Sequence, residues 1–137
     1  MEDLALKVKL SALWFFTAVA FLAYIMLTFV DPWVIEQIAA GEVEALLMGP
    51  EMLLLIAIVW LVPLVMAVLS LTLKGSANRW TNIIVGLVFI VLEFIGLIEL
   101  VANPLAHLIL ITLAKVVALA LIVWYAWKWP KQESRRS

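Results

Sequence analysis

One otherwise apolar stretch, VLEFIGLIELVANPLAHLILITLAK (Val91–Lys115), carries two carboxylates, an imidazole and an ammonium: Glu93, Glu99, His107 and Lys115. Groups of these types can pass protons, hold an ion, or neutralise one another as fixed pairs. Which of these they do depends on their spacing about Asn103-Pro104, a turn signal inside the stretch. Glu93 lies eleven positions before Pro104 (104 − 93) and Lys115 eleven after it (115 − 104). In a helical hairpin with its tip at Pro104, each is roughly 15 Å deep at 1.5 Å per residue. The two are level and opposite in charge. Glu99 and His107, five before and three after Pro104, lie near the tip.

An isolated charge at the centre of a bilayer costs about 2.5–3.5 kcal/mol on insertion scales, and a paired one much less. The spacing therefore predicts a Glu93–Lys115 salt bridge or shared hydrogen bond facing the protein interior. At about 100° per residue, Asn82, Gly86, Phe89, Glu93, Gly96 and Leu100 form one stripe of small and polar residues, the pattern of a close-packing face. Glu99 falls about 100° away from that stripe. Earlier in the chain, Thr17, Tyr24 and Thr28 share a face, which makes Tyr24 a hydrogen-bond neighbour for Glu93 or Glu99. Pro63 frees the carbonyl of Val59, an acceptor at middle depth for the Lys115 ammonium. The expected polar core is thus Glu93, Lys115, Tyr24 and Asn82, with Glu99 and His107 as outer-side polar residues. Two readings of the core stand: a polar lock that fixes helix register, or a proton or ion pathway or small pocket. For Glu99 and His107 the spacing favours ordinary interfacial hydrogen bonding.

The elements that must hold these groups follow from composition. With 67% hydrophobic and 14% charged residues the chain departs from soluble domains, which run near half apolar and a quarter charged. Four long apolar stretches, about 10–30, 52–73, 80–102 and 105–127, account for the excess. Each is long enough for a helix to cross ~30 Å of hydrocarbon. Helices satisfy their own backbone in lipid. We therefore expect an all-α integral membrane protein, one domain over 1–137, built as a four-transmembrane-helix antiparallel bundle. The first stretch is too long for a signal-peptide core and is read as a spanning helix.

Eight of the nine basic residues flank these stretches on one side: Lys7, Lys9, Lys74, Arg79, Lys128, Lys131, Arg135 and Arg136. The positive-inside rule makes that side, both termini and the basic tail 128–137 cytoplasmic. Trp80, Trp124, Tyr125, Trp127 and Trp129 fall at the same boundary as an aromatic belt. The outer loop 31–51 alternates Trp33, Val34, Ile38 and Leu46-Leu47-Met48 with Glu36, Glu42 and Glu44. Asp31 before Pro32 is a helix start, so the loop reads either as one or two short amphipathic helices on the outer surface or as a solvated acidic loop capping the bundle. The short KGSAN connection predicts that the second and third stretches are antiparallel neighbours.

With no cysteine, thiolate metal sites, dithiol exchange and cysteine nucleophiles are excluded. No nucleophile–base set or metal-ligand cluster is visible, so we expect no enzyme, no metal and no cofactor. The expected partners are the lipid bilayer and either a second copy of the chain or another membrane protein, with no nucleic acid.

The segments LKVKLSALWFF (Leu6–Phe16), LVPLVMAVLSLTLKGSANRWTNIIVG (Leu61–Gly86) and IVWYAWKW (Ile122–Trp129) resemble an uncharacterised family of small four-helix prokaryotic membrane proteins. ANRWTNII is the most specific part, and the resemblance extends over nearly the whole chain. At the level of fold the chain is also similar to the DoxX-like four-helix group. The resemblance implies a four-helix fold in a prokaryotic cytoplasmic membrane, and no activity or site residues. Three functions compete. The first is a non-enzymatic, partner-binding membrane protein with a structural polar core. The second is a small oligomeric proton-coupled transporter using Glu93. Small multidrug transporters carry their membrane glutamate in the first helix, and the first apolar stretch here has no acid. The third is a quinone-linked redox subunit contacting its quinone through His107; one histidine and no cysteine leave no bis-histidine haem or dithiol centre.

Overall fold

Long apolar runs with few interior helix breakers fold as helices, and here they do so with tightly specified ends. The computed structural model describes residues 2–41, 50–102 and 106–128. Its elements are α1 (Glu2–Val30), α2 (Pro32–Ala39), α3 (Pro50–Thr72), α4 (Gly75–Ala102) and α5 (Ala106–Trp127), with no strand among the described residues. The Asn103-Pro104 turn, the Leu46–Met48 part of the outer loop, Trp129 and the basic tail beyond Lys128 lie outside them.

Three ends carry most of the information. Asp31 caps α2, its carboxylate accepting from the amides of Trp33 and Val34 with Pro32 in the first turn, as its sequence context predicts. At the other end of α2, Gly41 takes φ 77 and donates its amide to the Ile38 carbonyl. That left-handed conformation is open to glycine at little cost. The third end differs from expectation. α4 begins at Gly75 instead of Trp80, so most of the KGSAN segment is helix. Gly75, at φ 50, makes the turn almost alone. α1 likewise reaches back to Glu2, because no proline or glycine stands between Glu2 and Leu10 to stop it.

α1 packs along α3 on one side and α5 on the other, and α5 packs along α4. The expected adjacency of α3 and α4 is not found: beyond their shared turn they approach each other only slightly. A tight turn fixes where two helices start and stop but not which neighbour each leans on. α4 leans on α5 because Gly86 lets the backbones close; a Cβ there would meet Val123 Cγ2 at 2.8 Å. Leu10, Trp14, Met66, Phe89, Leu119 and Ile122 form the apolar core between the four long helices. Trp14 and Phe89 meet edge to face, with centroids 6.0 Å apart and planes at 89°. The faces turned away from this core remain apolar, including Leu54, Leu61 and Val68 on α3 and Ile84, Val91 and Ile98 on α4.

Candidate functional site

The polar residues sort into layers along the long helices. The deepest layer is the pair expected from the sequence. Lys115 Nζ lies 3.1 Å from Glu93 Oε1, with the lysine side chain 3% exposed and the glutamate 13%. α5 supplies the ammonium from its buried face and α4 the carboxylate. α1 closes the site with two rings: the ammonium lies 4.9 Å from the Phe21 ring centroid and 4.8 Å from that of Tyr24. Phe21 and Tyr24 are three apart on one helix, which puts both rings on the same face. A cation desolvated in this way gains attraction from each ring, on the order of 2 kcal/mol. Tyr24 therefore takes part through its ring face and not through the hydrogen bond expected. Lys115 finds its partners on α4 and α1, and the Val59 carbonyl is not one of them.

Asn82 does not belong to this site. It lies eleven residues before Glu93 on α4 (93 − 82), ~16 Å along the helix, in a separate buried network. Asn82 Oδ1 accepts from Trp14 Nε1 at 2.7 Å and from Ser70 Oγ at 3.2 Å. Its amide nitrogen donates to the carbonyl and the side-chain oxygen of Asn78, at 2.9 and 2.7 Å. Asn78 in turn donates to the carbonyls of Ser70 and Leu73, at 2.8 and 3.1 Å. The Ser70 carbonyl lies in the last turn of α3 and that of Leu73 just past its end, where helical partners run out. Both amides are thereby satisfied, and Asn78, Asn82, Ser70 and Trp14 are fully buried. Arg79, next in sequence, does the same for α5: its Nε and a terminal nitrogen donate to the carbonyls of Ala126 and Trp127, at 3.2 and 3.3 Å. Its guanidinium also lies over the rings of Trp80 and Trp127. Lys9 over Tyr125 and Lys128 over Trp124 extend this girdle of cations on aromatic rings.

At the opposite end, Glu99 and His107 are not partners. His107 Nε2 lies 3.4 Å from Asp31 Oδ2, while Asp31 Oδ1 holds the start of α2. One carboxylate thus joins α2 to α5. Glu99 points outward and is exposed, in keeping with its angle from the buried stripe. Among the described residues, no three of His, Asp and Glu converge as a metal site.

Sequence reasoning missed Trp14, Ser70, Asn78 and Thr112, a buried hydroxyl on the face of α5 that carries Lys115. Asn78 was legible in one respect: an asparagine four residues before Asn82 is a neighbour of it on a helix. The assumption that KGSAN was loop hid that relation.

Together these features define a small all-helical protein with four helices, Leu4–Val30, Leu53–Thr72, Gly75–Ala102 and Ala106–Trp127, long and apolar enough to cross a membrane. Residues 3–135 match DUF6326, a family of unknown function, and the chain belongs to that family. No curated protein and no solved structure matches it. The broader likeness to the DoxX-like group expected from the sequence is not shown by these comparisons.

Proposed function

We propose that the chain is a multi-pass protein of the prokaryotic cytoplasmic membrane, with α1, α3, α4 and α5 crossing as an antiparallel bundle and both termini in the cytoplasm. In this reading it is a non-catalytic membrane subunit that presents its apolar faces to a second copy or to another membrane protein. The Glu93–Lys115 pair is its intramembrane lock. The observation that carries the reading is the closure of that pair: 3.1 Å between charges, with the lysine side chain only 3% exposed. The ammonium, carried by α5, is engaged by a carboxylate on α4 and two rings on α1, so sliding any of these three helices breaks a contact. The clustering of Lys7, Lys9, Lys74, Arg79 and Lys128 at one end supports the orientation.

A second reading, a proton-coupled carrier titrating Glu93, draws support from one feature. The contact with Lys115 is made through Oε1 of Glu93, and the glutamate side chain keeps 13% exposure. Proteoliposomes with a trapped pH dye and an imposed membrane potential separate the two. The lock reading expects the same proton flux from the parent protein, Glu93→Gln and protein-free liposomes. A flux carried by the parent and lost in Glu93→Gln would transfer the assignment to the carrier.

A further inference from the structure

Two hydroxyls near the ion pair, on buried Thr112 and half-buried Tyr24, have no hydrogen-bond partner among the described residues. Thr112 is 2% exposed, yet its Oγ1 makes no hydrogen bond among the described residues. Other helical threonines do so locally. Thr17, also 2% exposed, donates to the Leu13 carbonyl at 2.9 Å, and Thr28 and Thr81 bond carbonyls four residues back at 2.8 and 2.7 Å. The Tyr24 hydroxyl is likewise unbonded among the described residues, although its ring lies against the Lys115 ammonium. The third polar atom is Oε2 of Glu93, whose Oε1 makes the contact with Lys115.

These atoms lie in one direction from the ammonium. Thr112 stands three residues before Lys115 on the buried face of α5. Long side chains on a helix lean toward its N-terminus, so Lys115 reaches over the turn that contains Thr112. α1 runs opposite to α5, since Lys9 meets Tyr125 while Asp31 meets His107. Tyr24 therefore lies one turn beyond Phe21 toward the same end as Thr112. Buried polar groups in native proteins are almost always satisfied by protein or by ordered water, and a buried water needs two to four polar partners.

We propose that ordered water binds between Thr112 Oγ1, Tyr24 Oη and Glu93 Oε2. Water both donates and accepts, so one site serves two hydroxyls and a carboxylate. It also gives Glu93 a partner for proton exchange on the side facing Glu99. The proposal rests on the pair being closed within the membrane. Its tests read hydration, so they succeed or fail independently of any flux.

The first test uses the unmutated full chain in lipid bilayers and water-edited solid-state NMR. The Thr112 side chain should acquire magnetisation from water several-fold faster than Thr17, which is equally buried but bonded to its own helix. A build-up at Thr112 as slow as that at Thr17 overturns the site. The second test compares Thr112→Val, Tyr24→Phe and the double variant by thermal unfolding. No direct bond joins the two hydroxyls, so coupling between them requires a shared water. Each single change should lower the midpoint, and the double should lower it no further than the larger single. A midpoint unchanged or raised in Thr112→Val, or losses that simply add, contradicts the proposal. If Thr112→Val does not fold, the NMR comparison decides.

Discussion

At Gly86 a methyl group would meet Val123 Cγ2 at 2.8 Å, with Ile122 Cγ2 behind it at 3.7 Å. At Gly96, ten residues further along α4 (96 − 86), a methyl would meet nothing within 4 Å. Both substitutions gain about 0.5–1 kcal/mol of helix propensity. Only the first also strains a packed, β-branched neighbour, at a cost of ~1–3 kcal/mol. Gly86→Ala should therefore destabilise by about 1 kcal/mol, the excess of the strain over that gain, while Gly96→Ala should stabilise slightly. Unfolding midpoints in one lipid mixture check this, and shifts of the same sign contradict it. The sequence places both glycines on one stripe but does not distinguish them, because the distinction depends on whether α5 lies opposite. The same limit applies to Glu99 and His107. Their shared depth suggests a pair, yet the angle of Glu99 turns it outward and leaves His107 to Asp31.

The elements are held at their ends by single side chains from neighbours. Asn78 and Arg79, adjacent on α4, close the carboxyl ends of α3 and α5 respectively. Hydrogen exchange should report the division. Asn78→Ala should loosen the last turn of α3 and cost about 1–3 kcal/mol, the penalty for stranding buried polar groups. Arg79→Gln should loosen the last turn of α5 and leave α3 protected. Loss of protection in both helices from either change contradicts independent caps. Asp31 permits a similar test at the other end. Asparagine caps a helix as well as aspartate does. Asp31→Asn should therefore keep the Trp33 and Val34 amides protected, whereas Asp31→Ala should expose both. Equal exposure in the two variants contradicts the cap. The Asp31 cap was legible in sequence because it is local. The Trp14–Asn82–Ser70 contacts were not, because three helices must meet to make them.

For the molecule as a whole, the long apolar helices and the pairing of Glu93 with Lys115 could be read from composition and spacing. Which helices are neighbours could not, and the slight contact of α3 with α4 departs from what their short connection suggests. The orientation is open to direct test, since the chain has no cysteine to interfere. A single thiol at Lys74→Cys should react with an impermeant reagent only from the cytoplasmic side, and one at Gln37→Cys only from outside. The reverse pattern inverts the proposed topology. The Glu93–Lys115 pair is proposed to lock α1, α4 and α5 in register within the membrane. A double-mutant cycle in bilayers tests it most directly, using Glu93→Gln, Lys115→Met and both together. Removing either charge alone strands the other in a buried site, for which a loss of ~3–5 kcal/mol is expected. The lock predicts that the double variant recovers much of that loss, with a coupling above ~1.5 kcal/mol. Losses that add, with no recovery in the double variant, would contradict the account.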